Sequence, residues 1–389
     1  TAEMLIRLHR DRCDLAAFLG MRSAAPQVAW VRPDLSDSHR GGRTVAHIAF
    51  ADGTQIIYKP RNIDIESRWT ELLRWCAARG APVPLSGLRV LSRAAYGWVE
   101  VAAARPCASR DDFGGFYRRA GAMLCLVYLL AGTDCHRDNI VADGAMPVLV
   151  DAETLMHPGS APVAAQEEDA HAQLTRRLTH SVLSTALLPH WSPTPDGGGF
   201  EGSGIGPGGA LPTSLERLSP IARNTDAASL QAQQVELVAA KNVPHCEGAL
   251  AVADDYVAEI IAGFESTAAF VMSQREAMLA DDGPIEAFAN AAVRVLLRAT
   301  ADYDVIRDRA RSPAAMRSGA ARSISIDALM QPLLGPATDD SHHALWEAAR
   351  REQAELERND IPRFEVRANS SASRWRAEWD RPGLQIARE

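Results

Sequence analysis

The apolar residues of this chain change their spacing near residue 104, where a strand-rich part gives way to a mostly helical part. In the first part, Thr44–Phe50 and Thr54–Tyr58 are joined by Ala51-Asp52-Gly53. An Asp-Gly turn between two such runs is a strong signal for a β-hairpin. Helical spacing predicts helices on either side of it, at Ala2–Gly20 and Ile63–Arg79. Further strands are predicted at Gln27–Val31, Leu88–Leu91 and Gly97–Ala103.

The second part contains long helical patterns around one more predicted hairpin. Asn139–Ala142 and Pro147–Val150 flank Asp143-Gly144, which is again typical of a hairpin. Helices are predicted at Asp111–Leu130, Asp255–Met272, Ile285–Tyr303 and Ala344–Arg358. The predicted fold class is α+β, one domain over 1–389 with a small β-rich lobe (27–104) and a larger helical lobe (105–389). This two-lobed outline is that of a kinase, although many α+β proteins share it.

The charge and the cysteine content indicate which kinds of partner and which cellular compartment to expect. The 41 basic residues are outnumbered by 49 acidic ones, and the net charge of −8 disfavours a nucleic-acid partner, which needs clustered Lys and Arg. Six scattered cysteines without a CxxC pair indicate reduced thiols. The longest apolar run, Ala120–Leu130, is too short to span a membrane. We therefore expect a cytoplasmic protein with no membrane partner.

The segments Thr133–Asn139 and Val150–Glu153 carry the residue types that phosphoryl transfer needs. Magnesium prefers oxygen ligands, and a carboxylate must accept or orient the proton of the acceptor hydroxyl. The order Asp134, Asn139, Asp151 matches the base and the two metal ligands of kinases, with a spacing closer to that of lipid kinases. The alternative is a polar turn whose carboxylates are merely solvated.

Lys59 and a glycine pair are two further candidates for contacts with nucleotide phosphates. Lys59 ends a predicted strand just before a helix, from which Glu66 or Glu71 would pair with it. Alone, a lysine at a strand end is more often a snorkelling surface residue. In the polar turn Asp37–Arg43, Gly41-Gly42 would let backbone N–H groups approach a phosphate, although any hairpin can use such a pair.

Together these segments resemble the dehydratase domain of class II lanthipeptide synthetases, the LanM family, from about Leu8 to Phe364. The matching pieces are Ser36-Asp37-Ser38-His39, Tyr58-Lys59-Pro60-Arg61, Tyr96-Gly97-Trp98-Val99-Glu100, Gly132 to Asn139, Val150 to Leu155, Lys241-Asn242-Val243-Pro244, Arg294 to Thr300 and Asp360-Ile361-Pro362. Each piece alone is unspecific, but the ordered set is specific.

The resemblance implies ATP- and Mg²⁺-dependent phosphorylation of Ser and Thr in a ribosomally made precursor peptide, followed by phosphate elimination to dehydroalanine or dehydrobutyrine. It implies ATP-phosphate contact by Lys59, a catalytic loop of Asp134, His136 and Asn139, and a metal held or organised by Asn139, Asp151 and Glu153. Four further residues match the elimination step: Asp37, His39, Arg294 and Thr300. Arg294 and a protonated His39 would stabilise the leaving phosphate, and Lys59 or Asp134 would serve as the base.

The chain also departs from the family pattern. Asp138 stands where the family often has Glu, and no Cys/His zinc cluster is visible, so no cyclase domain and no ring formation are expected. Because full-length members are much longer, we expect a fragment. Without the family, Arg294 would be taken as a solvated residue in the middle of a helix.

Two other functions stay open at this stage: a stand-alone kinase-like phosphotransferase and an inactive module that binds the leader segment of a precursor peptide. The Gly-rich interval Pro193–Pro212 is equally consistent with a substrate-gating lid and with a disordered insertion. The sequence leaves the oligomeric state open.

Overall fold

The computed structural model describes most of the chain up to residue 368. The described residues are 2–21, 27–158, 174, 177–178, 180–193, 199–206, 214–222, 225–227, 229–236, 241–327, 340–368, 376–378 and 385–387. Helix and strand are mixed within them, which confirms the α+β class at that level. None of the helices in these ranges is long and apolar enough to cross a bilayer.

The first part of the fold is a five-stranded antiparallel sheet with two helices. The sheet has the order β1-β2-β3-β5-β4. Its elements are α1 (Ala2–Leu19), β1 (Val28–Arg32), β2 (Ala46–Phe50), β3 (Gln55–Lys59), α2 (Asp64–Ala78), β4 (Val90–Arg93) and β5 (Tyr96–Glu100).

The predicted hairpin is confirmed as β2–β3, and its turn shows why the sequence folds there. The Asp52 carboxylate accepts hydrogen bonds from the backbone and the hydroxyl of Thr54, at 3.0 and 2.7 Å. Gly53 has φ +87°, which other residues adopt with strain. On the inner face of the sheet, Ile56 and Trp98 are fully buried and pack in one cluster with α1. This packing fixes the end of β3, where Lys59 lies.

The second part is built around two long helices and a hairpin. Its elements up to residue 278 are α3 (Asp112–Leu129), β6 (Ile140–Asp143), β7 (Met146–Leu149), β8 (Trp191–Pro193), β9 (Gly199–Glu201), β10 (Ser214–Ile221), β11 (Ser229–Glu236), β12 (His245–Cys246), β13 (Ala249–Leu250), α4 (Val257–Ser273) and α5 (Arg275–Met278). The remaining elements are β14 (Ala292–Val295), α6 (Thr300–Ala310), α7 (Gly319–Ile326), α8 (Asp340–Glu357), β15 (Phe364–Arg367), β16 (Arg376–Glu378) and β17 (Gln385–Ala387).

The prediction of one helix over Ile285–Tyr303 is wrong. A short 3₁₀ helix, Glu286–Phe288, is followed by β14, which pairs antiparallel with β15, and α6 begins only at Thr300. In β14 the apolar residues alternate, with Val293 and Val295 buried, and this leaves Arg294 on the opposite face. Because β15 lies some 70 residues further along the chain, its pairing was not visible in the local pattern.

The Gly-rich interval 193–212 is described only in part. Residues 194–198 and 207–212 lie outside the described residues, so the lid and the insertion stay untested there. Its middle, Glu201–Gly206, is largely buried, and the backbone carbonyl of Gly202 accepts a hydrogen bond from Arg137 N at 2.8 Å. A Cβ on Gly204 would lie 2.2 Å from the carbonyl of Cys135. This middle piece therefore supports the loop that carries Asp134.

Candidate functional site

A cavity of about 670 Å³ brings together residues from distant parts of the chain. All ten predicted site residues line it: Asp37, His39, Lys59, Asp134, His136, Asn139, Asp151, Glu153, Arg294 and Thr300. Lys59 comes from the end of β3, and Asp151 and Glu153 follow β7. Because Arg294 is on β14 and Thr300 begins α6, both reach the cavity, which a single helix would not have allowed.

Lys59 is buried and is held by one main partner from α2. Its Nζ donates to Glu66 Oε1 at 3.3 Å and to the Val150 carbonyl at 2.9 Å, and Asp151 Oδ2 is 3.5 Å away. Glu71 pairs instead with Arg68, so Glu66 is the partner. The interpretation of Lys59 as a snorkelling surface residue is wrong, because its exposed fraction is only 4%. A buried ammonium with carboxylate partners is held at one position in the cavity.

The loop before β6 places Asp134 in a strained conformation. Asp134 has φ +59°, a left-handed conformation that Asp tolerates better than most residues. Asn139 Nδ2 donates to the Asp134 carbonyl at 2.7 Å and lies 3.3 Å from His136 Nε2. His136 Nδ1 accepts from Asp138 N at 3.2 Å, so this loop is internally bonded.

Burial raises the pKa of the Asp134 carboxyl, against the opposing effects of His136 and Arg294. The Asp134 side chain is 32% exposed, so it is partly buried at the cavity wall. A carboxylate with a raised pKa is a better proton acceptor than an ordinary one.

Asp151 and Asn139 both line the cavity and carry the oxygen ligands that magnesium prefers. Asp151 Oδ1 accepts from Arg61 Nη2 at 2.7 Å and from Glu153 N at 3.2 Å. Burial acts to raise the pKa of Asp151, but Arg61 and Lys59 outweigh it and lower that pKa, so the carboxylate is charged. In the described parts of the chain no three His, Cys, Asp or Glu side chains form a metal cluster. Two ligands fit Mg²⁺, which takes one or two protein groups and completes its shell with phosphates and water.

Glu153, the third predicted metal residue, lies among three guanidinium groups. Its Oε2 is 2.8 Å from both Arg61 Nε and Arg363 Nη1, and its Oε1 is 2.7 Å from Arg294 Nη1. Burial acts to raise the pKa of Glu153, but Arg363, Arg61 and Arg294 together lower it well below its usual range. This geometry does not favour Glu153 as a direct metal ligand. The other predicted role, organising the metal, stays a prediction, and it is consistent with the hydrogen bond that Glu153 N donates to Asp151 Oδ1.

Arg61 and Arg363 line the cavity but were not among the predicted site residues. Arg61 is the last residue of the matched piece Tyr58-Lys59-Pro60-Arg61, and Arg363 directly follows the matched piece Asp360-Ile361-Pro362. The signal that could have found them is charge. A buried Glu153 needs cationic partners, and arginine is the residue best suited to share a carboxylate.

The turn Asp37–Arg43 corrects one expectation, for its glycine pair, and shows the surroundings of His39. The N–H groups of Gly41 and Gly42 donate to the Asp360 carboxylate, so the expected approach of these amides to a phosphate is wrong for this structure. His39 Nδ1 donates to the Ile361 carbonyl at 2.7 Å. Burial, Arg294 and Arg363 lower the pKa of His39 to about 4. This low pKa favours the neutral form of His39 when no phosphate is bound, and the expected stabilisation of a leaving phosphate by a protonated His39 stays a prediction.

The cavity is lined by apolar as well as polar side chains. Its walls include Val45, Ile57 and Val99 from the sheet side, with Leu88 and Val141. An apolar wall next to a polar, charged end is the usual character of a site for an aromatic base attached to phosphates. The cavity can thus accept a ligand with one flat apolar end and one anionic end.

Comparisons with known proteins agree with the motif analysis. A family model described as a domain of unknown function, DUF4135, matches residues 1–367. The lacticin 481/lactococcin biosynthesis protein LcnDR2 of Lactococcus lactis subsp. lactis is 25% identical over 292 residues, which are 71% of this chain. The chain spans about 30% of the length of that relative. The chain thus belongs to the DUF4135 family, and its resemblance to class II lanthipeptide synthetases of the LanM type is confirmed.

Proposed function

We propose that this chain dehydrates Ser and Thr residues of a lanthipeptide precursor by phosphorylating them with Mg²⁺–ATP and then eliminating the phosphate. One observation carries the proposal: a single cavity contains both a kinase-type set and an arginine-rich set. The first set is Lys59, Asp134, Asn139 and Asp151, and the second is Arg61, Arg294 and Arg363. The relative is named as a lacticin 481/lactococcin biosynthesis protein, and this name supports a precursor peptide as the substrate.

In the phosphorylation step, the small sheet and the helical part would enclose ATP in the manner of a two-lobed kinase. The apolar wall of Ile57, Val99 and Val141 suits the adenine ring, and Lys59 would contact the phosphates. Asp134 would accept the proton of the Ser or Thr hydroxyl as the hydroxyl oxygen bonds to the γ-phosphorus, while the bond from the γ-phosphorus to the β–γ bridging oxygen breaks and ADP leaves. Asn139 and Asp151 would hold Mg²⁺, which supplies neutralisation of the phosphate charge when bound.

In the elimination step, a base removes the α-proton of the phosphorylated residue, a Cα=Cβ double bond forms, and the phosphate leaves with the electrons of the Cβ–O bond. Arg294 is 12% exposed and shares Glu153 with two other arginines, so it would stabilise the leaving phosphate. Thr300, the first residue of α6, would add a hydrogen bond. Asp134, with its raised pKa, is better suited as the base than Lys59, which contacts two carboxylates.

The test uses the purified chain, ATP, Mg²⁺ and a Ser/Thr-containing precursor peptide, with the product read by mass spectrometry. Loss of one water per modified residue, absent with Lys59→Ala, is expected. Because the chain spans only part of its relative, a synthetic phosphoserine form of the same peptide, with ADP and Mg²⁺, tests elimination separately. Phosphate added but never lost from either peptide would contradict the dehydratase and favour a stand-alone kinase. Peptide binding with no chemistry would favour the leader-binding module.

A further inference from the structure

The turn Ser36–Arg43, which carries Asp37 and His39, is held by a segment more than 300 residues away. Ile361 N donates to the Ser38 carbonyl at 2.8 Å, and His39 Nδ1 donates to the Ile361 carbonyl at 2.7 Å. Ser38 Oγ donates to the Asn359 carbonyl at 3.3 Å. The position of Asp37 and His39 at the cavity wall therefore depends on residues 359–361.

Asp360 supplies the charged part of this attachment. Its side chain is 1% exposed, and one carboxylate oxygen accepts from Gly41 N at 2.5 Å. Gly42 N lies 3.1 and 3.3 Å from the two oxygens. Gly41 and Gly42 have φ of +86° and +77°, so two successive N–H groups point at one anion. Such a concave pair of amides is an anion site, and here the anion is a side chain of the same protein.

A purely local role for Asp360 does not account for these contacts. The residue follows α8, and its backbone N–H donates to the Glu355 carbonyl at 3.0 Å, as expected at a helix end. That capping bond uses the backbone alone. The carboxylate is directed to the glycine pair.

The same segment is also attached to the arginine-rich set. Arg363 donates to Glu153 at 2.8 Å, and Glu153 binds Arg294. Residues 359–363 thus connect the turn with Asp37 and His39 to the arginines proposed to stabilise the phosphate. We infer that Asp360 is a positioning residue for the elimination step, an inference that rests on the proposed function. It acts through the Gly41-Gly42 amides and is not part of the kinase-type set.

The experiment separates the two half-reactions in Asp360→Asn. Asparagine has nearly the size of aspartate, but one carboxylate oxygen is replaced by an NH₂ group. That NH₂ group is a donor, so it cannot accept a hydrogen bond from the N–H groups of Gly41 and Gly42. With a synthetic phosphoserine peptide, ADP and Mg²⁺, kcat for elimination should fall about tenfold to a hundredfold while KM stays within about threefold. ADP formation from ATP with the unphosphorylated peptide should stay within about threefold of wild type. Asp308→Asn, which changes an exposed aspartate of α6, is the matched control.

A second variant covers the case in which Asp360→Asn fails to fold. Gly42→Ala meets no atom within 4 Å but strains the positive φ, so it should also reduce elimination selectively. Unchanged elimination, or an equal loss of both half-reactions, would overturn the inference. Absence of elimination in the wild-type protein would instead contradict the proposed function itself, which keeps the two failures distinct.

Discussion

At the scale of single residues, the site is organised by a buried carboxylate with an unusual number of cationic partners. Glu153 is 6% exposed and contacts Arg61, Arg294 and Arg363. Transferring so many charges out of water is costly, and the cost is offset only when each charge keeps a partner. Removing the one anion that the three arginines share should therefore affect stability more than an ordinary ion pair would.

Glu153→Gln tests this directly. We expect the free energy of unfolding to fall by about 3–5 kcal/mol, because three guanidinium groups lose a common carboxylate in a buried place. Urea denaturation followed by circular dichroism measures the change. The matched control is Glu71→Gln, which breaks an exposed ion pair with Arg68 and should cost about 0.5 kcal/mol or less. A loss below about 1 kcal/mol for Glu153→Gln would contradict the proposed organising role.

His39 gives a prediction about acid stability. Its pKa in the folded protein is about 4, below the ordinary value of 6.5, so the unfolded chain binds the proton first as the pH falls. Stability is therefore lost between about pH 6.5 and pH 4, and this group contributes a loss of about 2 kcal/mol between pH 7 and pH 5. In His39→Gln that part of the loss should disappear from urea titrations at the two pH values. His9→Gln, which removes an exposed histidine of α1, should keep the wild-type loss.

At the scale of elements, the sequence predicted those helices and strands that are determined by contacts between residues close together in the chain. The β2–β3 hairpin and α2 were predictable because Asp52, Gly53 and the apolar spacing of α2 act within a few residues. The strand β14 was not, since its four residues become a strand only by pairing with β15. That error had a direct effect on the site, because a continuous helix would not have placed Arg294 and Thr300 in one cavity.

The helices α3 and α4 pack closely against each other and support the loop that carries Asp134. The two helices cross with glycines at the contact, and a Cβ on Gly121 would lie 2.0 Å from the Ile260 carbonyl. A Cβ on Gly263 would lie 1.9 Å from the Arg118 carbonyl. Backbone atoms cannot move aside as a flexible side chain can, so a methyl group at either position must separate the helices.

Gly121→Ala should therefore destabilise the protein by about 1–3 kcal/mol, the usual cost of overpacking, despite the better helix propensity of alanine. Gly114→Ala is the matched control in the same helix, since its Cβ would meet only the Glu259 side chain at 3.7 Å. The control should be neutral or stabilising by up to about 1 kcal/mol. Thermal and urea unfolding of both variants measure the difference. Equal stability of the two variants would contradict the close contact between α3 and α4 at Gly121.

At the scale of the whole molecule, an unbroken series of ion pairs joins the kinase-type residues to the turn of Asp37 and His39. The distances along it are 3.5, 2.7, 2.8, 2.8, 2.8 and 2.9 Å. The members in order are Lys59, Asp151, Arg61, Glu153, Arg363, Glu365 and Arg40. Motifs predicted which residues matter, but only the fold shows that residues from 40 to 365 share one charge network. The places of Arg61 and Arg363 in this network could therefore not be predicted from the sequence.

In the proposed function, two chemically different steps share this cavity, and Arg294→Ala should separate them. Arg294 contacts Glu153 but neither Asp134 nor Asp151 within ion-pair distance, so phosphorylation should stay within about threefold of wild type. Elimination should fall about a hundredfold or more, because a charge-assisted contact to the leaving phosphate is lost. Phosphopeptide should then accumulate in mass spectra over time, whereas Asp151→Asn should yield neither phosphorylated nor dehydrated peptide. Dehydration by Arg294→Ala at the wild-type rate would remove Arg294 from the elimination step and leave the arginine-rich set with a structural role only.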